Sequence, residues 1–325
     1  MPAARPIPVD ELVERAREGD PRAVGRLISL VENAAPELRE VMAALTPYTG
    51  TAAVIGLTGA PGVGKSTTTS ALVGAFRASG QRVGVLAVDP SSPFSGGALL
   101  GDRVRMQEHA LDPDVYIRSM ASRGHLGGLA WSTPQALRVL DAAGCDVVLV
   151  ETVGVGQSEV EVAALADTTV VLLAPGMGDA IQAAKAGILE VGDVYVVNKA
   201  DREGADSTVR ELRHMLSLGE RRAPGDWRPP VVKTVAAKRE GLDEVIEAVQ
   251  KHRSWMQEHG ELQRRRTRRV ADEIEALAVT TLRARMGDVR TASGPTSLDA
   301  LAAQVLAGSL DPYTAADRLV EGIVG

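Results

Sequence analysis

A glycine-rich stretch from Gly56 to Phe76, GLTGAPGVGKSTTTSALVGAF, carries the pattern G-x-x-x-x-G-K-[ST]. It begins in the apolar, strand-like run AAVIGLTG at 52–59 and continues into a helical stretch, and this context makes the motif specific. Its glycines let backbone N–H groups turn towards phosphate oxygens, and the helix adds its positive N-terminal end. We therefore predict a bound phosphate chain, held by Gly59, Ala60, Pro61, Gly62, Val63, Gly64, Lys65, Ser66 and Thr67.

Three residues in this loop suggest more specific roles. Lys65 is predicted to reach the β- and γ-phosphates of a nucleotide, and Ser66 to offer its hydroxyl to Mg²⁺. Ala60 stands where one branch of P-loop ATPases, with the motif K-G-G-x-G-K, has an extra lysine that acts on a neighbouring subunit. Ala60 therefore argues against ATPases of the ParA and nitrogenase iron-protein type.

Three acidic residues are candidates to hold the magnesium ion. Asp89 ends the run VGVLAVD, Glu151 ends CDVVLVE, and Asp102 lies in the stretch that follows Asp89. In a parallel sheet the carboxyl ends of the strands face the ligand crevice, and Mg²⁺ prefers oxygen ligands and keeps several waters. We expect one or more of these three carboxylates to hold the metal, directly or through water.

A switch loop is predicted directly after Glu151. Gly154 follows three residues later, so ETVG matches the D-x-x-G pattern of GTPases with Glu in place of Asp. The Gly154 N–H would sense the γ-phosphate and order the loop around it. Gln157 is a weaker candidate for positioning water, because it lies three residues beyond the glycine.

The base is predicted to be guanine. The sequence NKAD at 198–201 ends the apolar run VYVVNKAD and matches N-K-x-D. Asp201 can accept hydrogen bonds from guanine N1–H and its exocyclic amine, which adenine does not offer in that arrangement. Asn198 would brace the pocket, and Lys199 would lay its stem on the base. Ala236, Ala237 and Lys238 match an S-A-K type loop whose backbone N–H contacts guanine O6, with Ala in place of Ser.

The elements that must position these residues form a doubly wound α/β fold. Seven apolar runs rich in Val, Ile and Leu alternate with helical stretches between about 49 and 252, as in a mostly parallel sheet covered on both faces. Residues 1–48 are predicted to form an N-terminal helical extension, broken at Gly19-Asp20-Pro21, and 253–325 a C-terminal helical arm. The P-loop GTPase domain is therefore expected at 49–252.

Composition limits the classes of partner and the compartment. The net charge of −6 argues against a broad nucleic-acid surface, and the sequence offers no membrane span or secretory signal. The single cysteine, Cys145, excludes an intramolecular disulfide and is expected to be buried. We expect a cytoplasmic protein that binds neither nucleic acid nor membrane.

At this point the chain resembles the ArgK/MeaB-type GTPases, which include the human methylmalonic aciduria type A protein. The resemblance covers nearly the whole chain. Its specific blocks are VDPSSPFSGGALLGDRVRM, SRGHLGGLA, ETVGVGQSEVEV and APGMGDAIQAAKAGILEVGDVYVVNKAD. It implies a SIMIBI-type G domain and a GTP-hydrolysing metallochaperone that binds adenosylcobalamin-dependent methylmalonyl-CoA mutase, or a related acyl-CoA mutase. Such a protein gates loading, protection and reactivation of the cofactor.

The resemblance also implies roles for particular residues. Asp89, Asp102 and Glu151 match the family's magnesium-site and switch acids, and Lys185 resembles a lysine tied to partner-stimulated hydrolysis. Lys185 lies in a stretch, roughly 174–185, that matches a third mobile loop; from its residue type alone it would be a solvated helix charge. The C-terminal arm is expected to form a homodimer. No cobalamin motif occurs, so His125 is not expected to bind cobalamin.

Two alternatives follow from the same residues. Similar sequences carry an older label as ATP-dependent kinases linked to the transport of lysine, arginine and ornithine, against which NKAD speaks. The second alternative is a scaffold protein whose partner binding depends on the bound nucleotide and for which GTP hydrolysis is incidental. No arginine finger in the same chain is evident, although Arg103, Arg105 and Arg123 are candidates. Hydrolysis is therefore expected to be slow alone and faster with a partner.

Overall fold

The computed structural model describes residues 7–90, 106–122, 132–152, 158–176, 188–218, 225–291 and 297–324. Strands and helices are numbered below along these ranges. The chain divides into two compact units, Met1–Gln263 and Arg264–Gly325. The first unit contains the predicted nucleotide motifs.

One parallel sheet organises the first unit. Its seven strands, counted over the described residues, run in the order β3-β2-β4-β1-β5-β6-β7, and every pair is parallel. The strands are β1 Ala53–Thr58, β2 Val83–Pro90, β3 Val115–Ser122, β4 Val147–Thr152, β5 Thr168–Leu173, β6 Val194–Val197 and β7 Val231–Lys233. Each coincides with one of the predicted apolar runs, which confirms the predicted parallel α/β fold.

Helices accompany these strands along the chain. Those of the first unit are α1 Val9–Arg17, α2 Pro21–Glu32, α3 Leu38–Leu45, α4 Lys65–Ala78, α5 Thr133–Ala142, α6 Ser158–Leu165, α7 Ile188–Val191, α8 Ala205–Leu218 and α9 Leu242–Glu258. The N-terminal helices break where predicted: α1 ends at Arg17, and the Asp20 carboxylate caps α2 by accepting from Arg22 N–H at 2.8 Å.

Both faces of the sheet are covered, which explains why the strands are apolar throughout rather than alternating. One face packs against α4 and α9, and Leu57, Leu149 and Leu72 lie in that core. The other face packs against the N-terminal helices and α5, with Leu86 among its buried residues. Cys145 lies in this second core at 2% exposure, as predicted, and burial raises the pKa of its thiol.

The second unit contains most of α10 Glu261–Thr291, together with α11 Leu298–Leu306 and α12 Pro312–Val324. The last two pack through a small core of Leu301, Ala315 and Leu319. No helix in the described ranges combines the length and apolar character needed to cross a bilayer. The functional boundaries at 48 and 252 stay predictions.

A buried carboxylate on α5 anchors the segment that leads into β1, and we predict that it is important for stability. Asp141 accepts hydrogen bonds from the N–H groups of Gly50, Thr51 and Ala52 at 2.5, 3.2 and 2.9 Å. Asp141→Ala leaves these donors without their charged acceptor and is expected to lower the free energy of unfolding by about 3 kcal/mol. Urea denaturation measures the loss.

Asp141→Asn is the control for this prediction. It keeps one acceptor oxygen in the same place and is expected to lose clearly less stability than Asp141→Ala. If Asp141→Ala unfolds within about 1 kcal/mol of the wild type, the carboxylate does not anchor the entry to β1.

Candidate functional site

The glycine-rich loop connects β1 to α4 in a backbone conformation that depends on glycine. Gly59 has φ +141° and Gly64 φ +96°, both in the region that side chains disfavour. A Cβ at Gly59 would lie 2.3 Å from the Leu172 carbonyl oxygen, and one at Gly64 would lie 2.5 Å from Asn198 Nδ2. The loop therefore packs too closely on β5 and the NKAD segment to accept any other residue at these positions.

The side chain of Lys65 folds back over this loop. Its ammonium donates to the carbonyl oxygens of Gly59 at 2.7 Å and Ala60 at 3.2 Å, and the residue is 7% exposed. Lys65 is also the first residue of α4, where the helix N-terminus adds positive potential. A lysine ammonium and a helix N-terminus at one point suit the binding of an anion, so the predicted phosphate site at this loop is compatible with the geometry and stays a prediction.

Ser66 and Glu151 meet beside the loop. The Ser66 hydroxyl donates to Glu151 Oε1 at 2.6 Å, and both residues are buried. Glu151 lies near the end of β4, directly beside β1 in the sheet, with Leu57 as its register partner. The sheet thus brings two predicted magnesium-binding residues together. A hydroxyl and a carboxylate are oxygen donors of the kind that Mg²⁺ takes.

The NKAD segment braces the loop from the other side. β6 ends at Val197, so Asn198 and Lys199 lie just beyond the strand. Asn198 Nδ2 donates to the Val63 carbonyl at 2.9 Å, and Lys199 Nζ donates to the Gly62 carbonyl at 2.6 Å. Both residues therefore connect the NKAD segment to the glycine-rich loop, and the predicted role of Asn198 in the base pocket stays a prediction.

The predicted base-reading carboxylate is paired with a lysine. Asp201 Oδ2 accepts from Lys238 Nζ at 3.0 Å, and both side chains are exposed. This hydrogen bond holds the pKa of Asp201 below its ordinary value and raises that of Lys238. Asp201 therefore stays an ionised acceptor under mildly acidic conditions, which suits a group that must accept from guanine N–H donors.

Residues 236–238 form a single 3₁₀ turn. The hydrogen bonds of their backbone N–H groups indicate which of the three predicted residues could donate to guanine O6. The Ala236 N–H donates to Asn198 Oδ1 at 3.1 Å, and the Lys238 N–H donates to the Val235 carbonyl at 2.8 Å. Of the three candidates, only Ala237 forms no backbone N–H bond within the described part of the chain, and it is exposed. Ala237 is therefore the candidate that this geometry favours.

Comparison with known proteins agrees with this arrangement. Residues 24–290 match the family described as "Methylmalonyl Co-A mutase-associated GTPase MeaB". The chain belongs to the MeaB family of GTPases. A relative from Pyrococcus abyssi, provisionally named as a GTPase, is 46% identical over 318 residues. The alignment covers 98% of this chain and 97% of the relative.

Two further comparisons concern the predicted family resemblance and the predicted fold. GTPase ArgK of Escherichia coli is 38% identical over 260 residues, 78% of either chain. A crystal structure titled "LAO/AO transport system kinase" superimposes with a TM-score of 0.69 at 29% identity and covers 98% of both chains. The predicted resemblance to ArgK/MeaB-type proteins and the predicted P-loop fold are thus confirmed.

These findings decide between the nucleotide activities. The MeaB-family chain is a GTPase that binds GTP and GDP, because the family and its curated relatives are named as GTPases. The alternative of an ATP-dependent transport kinase is wrong. The ArgK relative carries the GTPase name.

Several predicted residues of this MeaB-family GTPase lie outside the described residues. They are Asp102, Gly154, Lys185, Gln157, Arg103, Arg105, Arg123 and His125. For Asp89 the backbone is described but not the side chain: it lies in β2, which pairs with β4 so that Ala87 is opposite Glu151. Asp89 therefore stands two residues beyond that pair on the neighbouring strand, and its role stays a prediction.

The sequence prediction missed Thr69, which contacts a site residue, and a group of three linked residues nearby on the chain's α4 side. Thr69, on α4, donates to Glu151 Oε2 at 2.8 Å. Ser70 donates to Glu108 Oε1 at 2.6 Å, and Arg239, which follows the 236–238 turn, donates to the other carboxylate oxygen of Glu108 at 3.0 Å. Ser66 and Thr69 are three residues apart and share a helix face, but this spacing does not by itself show that Thr69 contacts a carboxylate.

Proposed function

We propose that this MeaB-family GTPase binds methylmalonyl-CoA mutase, or a related adenosylcobalamin-dependent acyl-CoA mutase, and uses its nucleotide state to gate loading, protection and reactivation of the cofactor. The observation that carries the proposal is the match of residues 24–290 to a family described by its association with that mutase. Isobutyryl-CoA mutases belong to the same proposed class of partner. On this proposal, GTP hydrolysis sets how long the interaction lasts, and the mutase is the protein on which the GTPase acts.

Glu151 is the residue through which nucleotide state would reach a partner. Its buried carboxylate contacts Ser66 in the phosphate loop, and the ETVG switch motif continues directly after it in the chain. A change in the ligand bound by Ser66 would therefore affect Glu151, which is the first residue of that motif. With the γ-phosphate present, the Gly154 N–H would order the motif, and hydrolysis would release it.

A magnesium ion is part of this proposal. Ser66 and Glu151 fit it, since a buried hydroxyl in contact with a buried carboxylate offers oxygen ligands beside a phosphate site. Asp89 and Asp102 are the further proposed acids. Bound there, Mg²⁺ would neutralise charge on the β- and γ-phosphates during hydrolysis. Lys65 would hold the same phosphates through its ammonium, and Asp201 would select the guanine base.

Complex formation tests the proposed partner. The purified chain is mixed with methylmalonyl-CoA mutase in the presence of GDP or a non-hydrolysable GTP analogue, and the mass of the complex is measured by light scattering. We expect a complex whose stability, and whose uptake of adenosylcobalamin, differ between the two nucleotides. If Lys65→Ala supports partner function as well as the wild type, the scaffold alternative, in which hydrolysis is incidental, is favoured instead.

We further propose that α10 forms a homodimer, as expected for the C-terminal arm. Val270, Ile274 and Leu277 follow helical spacing along it, and they are 41%, 62% and 45% exposed in the single chain. An apolar stripe of this kind on a long helix is typical of a helix-pairing surface. A solution mass of about twice 34.1 kDa is expected from light scattering.

Cytoplasmic location also stays a proposal.

A further inference from the structure

Helix α4 presents two hydroxyl groups to Glu151. Ser66 Oγ donates to Oε1 at 2.6 Å, and Thr69 Oγ1 donates to Oε2 at 2.8 Å, so each oxygen of the carboxylate accepts from a different residue. The two donors are three residues apart and lie on the same helix face. All three residues are buried, with Thr69 at 0% and Glu151 at 4% exposure.

A glutamate needs such a support more than an aspartate does. Its side chain has one more rotatable bond, so a carboxylate at the end of β4 must be fixed by its surroundings if it is to meet a ligand in one orientation. One hydroxyl leaves the carboxylate free to turn about that contact. Hydroxyls on both oxygens fix the plane of the group. Such hydrogen bonds to a charged acceptor in a buried site are strong ones.

We propose that Thr69 is a positioning residue, which holds the Glu151 carboxylate in the orientation needed at the magnesium site. The inference rests on the magnesium site of the proposed function. Thr69 acts through Glu151, whereas Ser66 is itself a proposed ligand. Outer residues that orient metal-binding groups typically change metal affinity by about 10–100-fold when they are removed.

The neighbouring residue provides a matched control. Thr68 is also fully buried on α4, and its hydroxyl donates to the Gly64 carbonyl at 2.9 Å. The Thr69 hydroxyl oxygen also lies 3.0 Å from the Lys65 carbonyl, so its single proton is shared between that carbonyl and the nearer Glu151 oxygen. The two threonines thus share residue type, burial and a hydroxyl next to a carbonyl of the preceding turn. They differ in that Thr69 also contacts Glu151, so comparing Thr68→Val with Thr69→Val isolates that contact.

Magnesium-dependent release of a fluorescent GDP analogue tests this role without requiring turnover. The release rate is measured against free Mg²⁺ for the wild type, Thr69→Val, Thr69→Ser and Thr68→Val. We expect Thr69→Val to raise the magnesium midpoint about 10–100-fold. Saturating Mg²⁺ should restore slow release, and all four proteins should release at one rate in EDTA. Thr69→Ser, which keeps the hydroxyl, and Thr68→Val should match the wild type.

Two outcomes are decisive and distinguishable. A Thr69→Val midpoint within about twofold of the Thr68→Val midpoint would overturn the positioning role while leaving the magnesium site intact, since a factor of that size is a small energy. A wild type whose release does not depend on Mg²⁺ would instead overturn the magnesium site itself. If Thr69→Val does not fold, Thr69→Ala removes the same hydroxyl with a better helix former, and the same midpoint comparison applies.

Discussion

Asp201→Asn is expected to exchange the base preference of this GTPase from guanine to xanthine. A carboxylate accepts from both guanine N1–H and the exocyclic amine. An amide accepts one of these and turns a donor towards the other. Two charged hydrogen bonds become one neutral bond and one donor–donor contact, which is expected to lower GDP affinity about 10³-fold. Xanthine carries an oxygen where guanine carries that amine, so the variant should bind xanthosine diphosphate.

Competition between fluorescent GDP and unlabelled nucleotides measures this exchange. Asp206→Asn is the matched control, because Asp206 is an exposed aspartate in α8 whose carboxylate pairs with Lys233 at 3.1 Å. It should bind GDP like the wild type. An Asp201→Asn protein that keeps its preference for GDP would show that another residue reads the base, despite the pairing of Asp201 with Lys238.

Lys65→Ala is expected to lower kcat/KM for GTP hydrolysis by about 10²–10³-fold or more. The ammonium is one of a few positioned charges at the phosphate site, and removing one such donor typically costs that much in rate. In the structure it contacts the Gly59 and Ala60 carbonyls, so it already lies at the loop that must hold the phosphates. Steady-state phosphate release over a range of GTP concentrations measures the loss.

The control for this variant is Lys233→Ala. Lys233 is an exposed lysine at the end of β7 that pairs with Asp206, and its removal should leave kcat/KM within about twofold of the wild type. Near-equal rates for Lys65→Ala and Lys233→Ala would mean that the phosphate chain is bound elsewhere. A matching thermal unfolding curve for the two variants shows that a lost rate comes from the site and not from the fold.

The sequence was sufficient for the parallel sheet and for the motifs at its carboxyl edge, because buried strands leave continuous apolar runs and phosphate loops leave glycines at fixed spacing. It placed Asn198 and Lys199 at the end of a strand, and the ends of parallel strands lie at that edge. It did not show that their side chains bond the loop carbonyls of Val63 and Gly62.

The contacts of Thr69, Glu108 and Arg239 escaped prediction for a physical reason. Each depends on a side chain from a distant part of the chain, as when Arg239 reaches Glu108 across 131 positions. A threonine in a helix leaves no sequence signal that separates a bond to the preceding turn from a bond to a carboxylate on a strand beneath the helix. Only the packing of α4 on β4 distinguishes Thr69 from Thr68.

The GTPase rate during titration with methylmalonyl-CoA mutase tests the account most directly. With the chain at fixed concentration and GTP saturating, we expect a slow rate alone and a rise of at least about tenfold to a plateau as mutase is added, because a partner orders the switch loops. Lys65→Ala should show no rise. A rate that stays constant at every mutase concentration, with no complex formed in GDP or in a GTP analogue, would contradict the account.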